Sequence, residues 1–197
     1  MLSFILLAGK CRFCHKPISI QYPLVESATA FLFWLSSAVF GKDLYQLGAS
    51  FVFVGFLVLL TASDLKWRLL PHPFNNLFIL AGFPLGVGGL SLAHWFAAAG
   101  GLLVVGFFFF GLVQIFPSGM GGGDIKMAAG FAAWVGLEKA FLMLLLAFLL
   151  GLVFVLVQLG RGRLTLKSYM AFGPALASGA LVVWFWPDLI QRTGIFP

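Results

Sequence analysis

Charge is scarce in this chain. Only 9% of its 197 residues are Asp, Glu, Lys or Arg, against 61% hydrophobic. A water-soluble domain covers its surface with about 25% charged residues. The shortage excludes a soluble globular protein and leaves lipid as the solvent for most of the surface. Acids are rarest, with 6 Asp+Glu against 12 Lys+Arg. The net charge of +6 does not point to nucleic acid, because the basic residues lie between apolar runs, where they set membrane orientation. Cysteine is nearly absent too. Cys11 and Cys14 form one C-x-x-C flanked by basic residues, which disfavours a secreted disulfide framework and fits a cytoplasmic segment. Neither a P-loop nor a G-x-S-x-G element is found. "MLSFILLAG" has no basic start and runs into Lys10, so it does not read as a signal peptide.

Apolar runs are what the chain has in abundance. They cover about 23–40, 44–63, 74–92, 96–116, 125–136, 139–159 and 171–190. They do not alternate as barrel strands would. The expectation is an all-α polytopic membrane bundle, with about six long transmembrane helices plus one short helix after the GGGD stretch. Residues 1–21 read as a cytoplasmic or interfacial N-terminal segment, and 22–197 as one transmembrane domain.

The basic residues test the topology. With Lys10, Arg12 and Lys16 in the cytoplasm, two spans return the chain there at Lys66 and Arg68, and two more at Lys126. If the short run 125–136 also crosses, Arg161, Arg163 and Lys167 come inside, leaving only Lys42, Lys139 and Arg192 outside. The charge bias therefore favours a crossing. Yet about 13 helical residues rise only about 20 Å, against a hydrocarbon core of about 30 Å. The short helix must then start below the surface, which is tolerated where protein or a water-filled cavity surrounds it. Asp124 would lie in such a recess.

Six acids exist: Glu26, Asp43, Asp64, Asp124, Glu138 and Asp188. Asp43, Glu138 and Asp188 fall at the outer face, where interfacial solvation explains them. Glu26, Asp64 and Asp124 fall on the cytoplasmic side, near or inside spans. A charge at mid-membrane costs at least about 2.5–3.5 kcal/mol on insertion scales, so such residues point to function. Asp64 ends "FVFVGFLVLLTASD", with Arg68 four residues on and so on the same helical face. Asp124 follows Gly121, Gly122 and Gly123 and precedes a helix, where it reads as an N-cap. The glycines either form a flexible joint or let a substrate backbone come close.

The pair says more than either member. Two neighbouring carboxylates can divide acid and base roles between them, one activating water and the other donating to a peptide carbonyl. The helix N-terminus favours Asp124 as the base, with Asp64 as the acid. Cys11, Cys14 and His15 offer soft ligands, but a closed zinc site needs four, and one chain has too few cysteines for a four-cysteine site. His94, beside Trp95, reads as an outer interfacial anchor.

"GMGGGDIKMAAGFAAWVG" and "ASDLKWRLLPHP" resemble the type IV prepilin peptidases, intramembrane aspartyl proteases of the G-x-G-D type. "GKCRFCHKPISIQYPLVE" resembles the family's second cysteine pair and the start of its next span. The resemblance runs along nearly the whole chain in the family's order. It implies a multi-pass protein of the bacterial inner membrane, N-terminus in the cytoplasm, that removes the basic leader of prepilins and pseudopilins. Asp64 and Asp124 match the catalytic aspartates. Gly121, Gly122 and Gly123 would line the substrate path, Lys126 would help to position the site, and Glu26 would be a secondary substrate-binding residue. Peptidase action would need no cofactor. The implied partners are prepilin or pseudopilin substrates, the lipid bilayer and a second copy of the chain, with no nucleic acid.

Many members of that family also N-methylate the new N-terminus with S-adenosylmethionine, and the Tyr22–Glu26 stretch resembles a motif of that half. Bifunctional bacterial members usually begin with another span and an earlier cysteine pair, which this sequence is expected to lack. Cys11 and Cys14 would then be the remnant of a zinc-binding-type domain, able to hold Zn²⁺ only if another chain completes the site. Alternatives are a bifunctional peptidase and methyltransferase, or an inactive truncated scaffold of a pilus or secretion apparatus. An ion or proton transporter using the same acids is a third.

Overall fold

The structure, a computed structural model, describes residues 4, 7, 9–67, 70–86, 89–115, 121–162 and 172–186. Arg68, Arg163, Lys167, Asp188 and Arg192, which the sequence reading used, lie outside them. Seven helices are described: α1 (Gln21–Phe40), α2 (Leu44–Trp67), α3 (His72–Leu85), α4 (Leu92–Ile115), α5 (Gly122–Val135), α6 (Leu137–Gly160) and α7 (Gly173–Phe185). No named strand occurs among the described residues, so the all-α polytopic class stands. The lengths differ from expectation. Four helices (α1, α2, α4 and α6) are long and apolar enough to cross a membrane, while α3, α5 and α7 have 13 or 14 described residues each.

The run 74–92 is the clearest case. Hydropathy reads it as one span, but α3 ends at Leu85, just after Pro84, and α4 begins at Leu92. Proline cannot supply a helical N–H, and Gly86 continues in an extended conformation. A side chain at Gly86 would collide with the imidazole of His94. His94 is therefore not the exposed interfacial anchor expected: it is buried, with Nε2 3.2 Å from the Gly82 carbonyl. Trp95 remains half-exposed, edge-on to Phe83.

The chain divides into two compact units, Met1–Val58 and Leu59–Pro197. In the first, α1 and the start of α2 pack through a buried Ser50–Ser36 hydroxyl hydrogen bond of 2.8 Å and a Phe33–Phe51 ring contact. Asp43 caps α2, accepting from the backbone N–H groups of Tyr45 and Gln46.

The second unit is organised around α5, which packs against α3, α4, α6 and α7. Every residue from Met127 to Val135 is buried. Small residues make this enclosure possible, because they let backbones approach closely. A Cβ at Gly130 would lie 2.8 Å from the Phe78 ring, and one at Gly101 would lie 2.7 Å from the Ala132 carbonyl oxygen. Trp134 locks α5 in place: its indole N–H donates to the Phe78 carbonyl at 2.8 Å, and its ring meets Phe78 and Trp184. The turn into α6 is a single residue, Gly136, at φ 81°, where a side chain would be strained. A 14-residue helix rises about 21 Å, too little to span a bilayer alone, yet enclosure by four neighbours removes the need to meet lipid. The outer faces of α4 and α6 carry exposed Phe107, Phe110, Leu152 and Phe154, as lipid-facing surfaces require.

Candidate active site

Asp64 lies in the last turn of α2 and is only 4% exposed. Its Oδ2 accepts a hydrogen bond of 2.9 Å from the backbone N–H of Gly173, the first residue of α7. Buried carboxylates need such donors, since an unmet acceptor in an apolar environment is costly.

Asp124 belongs to α5 itself. The N-cap is Gly121, in an extended conformation, and Asp124 is the third helical residue. This corrects the expectation that Asp124 caps the helix from outside. The glycines before it start the helix instead, and the carboxylate turns back to the Gly121 backbone N–H, as an acidic residue at this position of a capping box does. Asp124 and Asp64 are close enough to interact electrostatically, so the fold brings the ends of α2 and α5 together. Each aspartate meets a helix N-terminus, Asp124 its own and Asp64 that of α7. Helix ends therefore do not distinguish acid from base in the simple way the sequence implied.

The three glycines are not equivalent. Gly123 is partly buried, and a Cβ there would lie 2.9 Å from Cβ of Leu70, in the connection between α2 and α3. Gly121 and Gly122 are exposed, and a side chain at Gly122 would meet none of the described residues. Gly123 is thus a close-packing residue, and Gly121 and Gly122 are the open ones. Lys126, one turn into α5, has its Nζ 3.5 Å from Nδ1 of His72 at the start of α3.

Asn75, Gly173 and His72 were not singled out from sequence. Asn75 is fully buried on α3, and its Nδ2 donates to the Gly123 carbonyl at 3.2 Å. An amide inside an apolar run was the available signal. The Gly-Pro at 173–174 reads as a helix start but gives no hint of a carboxylate partner.

Glu26 and the cysteines belong to the first unit. Glu26 is exposed on α1. Cys11 and Cys14 are free thiols in a tight loop closed by an antiparallel Lys10–Pro17 bridge, with Cys11 N–H donating to Lys16 O at 2.9 Å and His15 at φ 54°. The Cys14 and Phe13 backbone N–H groups hold the Cys11 thiol below its ordinary pKa. Amides aimed at a sulfur favour thiolate, the form that binds metal. No cluster of three or more His, Cys, Asp or Glu side chains suited to a metal occurs among the described residues. Alone, the loop supplies two of the four ligands of a structural zinc site.

Residues 51–156 match the type IV leader peptidase family, and residues 1–40 match the bacterial peptidase A24 N-terminal domain. The chain is 32% identical over 191 residues to a prepilin leader peptidase/N-methyltransferase of Burkholderia pseudomallei (strain 1026b), covering 94% of this chain and 61% of that protein. Proteins of the same name from Bacillus subtilis (strain 168) and Xanthomonas campestris pv. campestris are 30% and 36% identical. Those alignments cover 96% and 97% of this chain, and 76% and 68% of the relatives. The chain thus spans about three-fifths of the Burkholderia relative's length. No solved structure matches it.

Proposed function

The chain belongs to the type IV leader peptidase family, and from that membership we propose that it is an aspartyl endopeptidase cleaving prepilin-type leaders at the cytoplasmic membrane face. The observation that carries this reading is that Asp64 and Asp124, on two different helices, lie close enough to interact electrostatically. A water between them loses a proton to one carboxylate as its oxygen attacks the scissile carbonyl carbon. The other carboxylate, protonated, donates to the carbonyl oxygen. The tetrahedral diol then collapses with cleavage of the C–N bond: one diol hydroxyl returns its proton to the carboxylate that had donated it, and the other carboxyl passes the proton taken from water to the leaving nitrogen, so the pair returns to its starting state. No cofactor enters these steps.

The open surface at Gly121 and Gly122 would take the extended scissile segment, with Lys126 and His72 at its edge. Substrate would be an amphiphile, a basic leader joined to an apolar helix: a prepilin or pseudopilin. The protein would reside in the bacterial inner membrane with its N-terminus inside. A membrane-impermeant thiol reagent should then label Cys14 only after permeabilisation.

The deciding experiment is leader removal from a prepilin-type substrate by the reconstituted chain, compared with Asp64→Asn and Asp124→Asn. The expectation is cleavage by wild type and its loss in both variants. Full cleavage by either variant overturns the pair, and no cleavage by wild type favours a non-enzymatic scaffold role.

The relatives' names support a second activity, that of an N-methyltransferase. S-adenosylmethionine would be its methyl donor, the new N-terminus its acceptor and Glu26 a binding residue. A methyl mass increment on the mature product reports it. Zn²⁺ would bind through Cys11 and Cys14 only where a second chain, as in a homodimer, completes the set, which the metal content of purified dimer and monomer tests.

A further inference from the structure

We propose that Gly173 is a positioning residue for the Asp64 carboxylate, acting through its backbone N–H and through its lack of a side chain. This rests on the peptidase reading above. Two independent features of the same residue carry it.

The first is the hydrogen bond. Gly173 N–H donates to Asp64 Oδ2 at 2.9 Å in a buried setting, 109 residues away in sequence. One oxygen of Asp64 is thereby committed as an acceptor. When Asp64 is protonated, the proton sits on the other oxygen, so the bond fixes the carboxyl's rotation and decides which oxygen serves the reaction.

The second is space. A Cβ on Gly173 would fall on Asp64 Oδ2 and lie 3.0 Å from Asp64 Cγ and 3.2 Å from Asp64 Cβ. These neighbours belong to a short side chain on a helix and cannot swing away as the tip of a long one could. Here glycine is required by approach, since its φ is not in the left-handed region.

Helix α7 is itself well anchored. A Cβ at Gly179 would collide with the Met143 carbonyl on α6, and Trp184 packs edge-on against Trp134 of α5. Because α5 carries Asp124, Gly173 registers Asp64 against the same packed core that holds its partner.

The test compares Gly173→Ala with Gly41→Ala, a lesion between α1 and α2 where a Cβ would collide with the Ser37 carbonyl. Gly173→Ala should lower kcat by about 10²-fold with KM little changed, the effect of a misplacement near 1 Å. Gly41→Ala should reduce thermal stability and leave kcat of the folded fraction unchanged. Wild-type kcat in Gly173→Ala overturns the proposal, as does equal loss of kcat in the two variants. Hydrogen exchange of the peptide containing Gly173 covers the case in which Gly173→Ala does not fold. Protection should persist in Asp64→Asn, which keeps an acceptor oxygen, and fall in Asp64→Ala; unchanged protection in Asp64→Ala removes the anchor. Exchange does not depend on cleavage, so failure of the peptidase reading is seen separately, as wild type leaving a prepilin-type substrate intact.

Discussion

Asn75 on α3 holds the carbonyl of Gly123 on α5, its Nδ2 donating at 3.2 Å across 48 residues of sequence. The bond sits directly before Asp124 and ties the first turn of α5 to its neighbour. The other end of the amide, Oδ1, is buried and finds no partner among the described residues. One hydrogen bond contributes about 0.5–1.5 kcal/mol net, and an unmet buried polar atom costs about 1–3 kcal/mol. These nearly cancel. Asn75→Leu should therefore leave the thermal midpoint in detergent almost unmoved while lowering kcat for leader removal, because the segment bearing Asp124 is freed. A large fall in stability with kcat of the folded fraction intact would assign Asn75 to packing alone.

Asp64 and Asp124 should act as a unit. In acid–base catalysis each group contributes about 10²–10⁴-fold, but removing a second member of one working constellation costs little beyond the first. Asp64→Asn and Asp124→Asn should each reduce cleavage by at least about 10²-fold, and the double variant by no more than the worse single one. Multiplicative losses in single-turnover rates would mean that the two carboxylates work independently.

The glycine stretch divides into residues that open and a residue that packs. Gly123→Ala drives a methyl against Leu70 and should cost about 1–3 kcal/mol, as overpacking does. Gly122→Ala points its methyl away from the described residues and should be within about 0.5 kcal/mol of wild type, as a surface change usually is. Thermal unfolding of the two variants in the same detergent checks the contrast. Equal destabilisation would remove the distinction.

Much of this arrangement is written locally. Scarce charge and long apolar runs suffice for the polytopic class. The basic residues imply that the segment after Asp124 is used as a membrane element although it is short, and the structure surrounds that segment with four helices. What cannot be read locally is held by distant partners. Nothing near Gly173 signals Asp64, and nothing near Asn75 signals Gly123, since these contacts exist only once α7 and α3 have docked. The end of α3 escapes a hydropathy reading for another reason. Phe83, Leu85 and Val87 keep the run apolar through Pro84 and Gly86, so hydropathy continues where the backbone does not. His94 misleads because its neighbour Trp95 fits an interfacial belt, whereas the space beside Gly86 is what receives the imidazole.

The cysteine loop yields a prediction independent of cleavage. Cys11 is held below its ordinary thiol pKa by backbone N–H groups of Cys14 and Phe13. A lowered pKa means that thiolate appears at lower pH. Alkylation of Cys11 should therefore begin its rise below the pH at which an ordinary exposed thiol reacts. Mass spectrometry after brief alkylation across a pH series, with Cys14→Ser to isolate the site, measures it. Adding Phe13→Pro to that variant should move the onset back upward, because proline has no backbone N–H to donate to the sulfur. Peptidase action without metal predicts that chelation leaves leader removal by the wild-type chain unchanged. Loss of cleavage on chelation, restored by Zn²⁺ in the wild type and not in Cys14→Ser, would make cleavage depend on metal held by the loop.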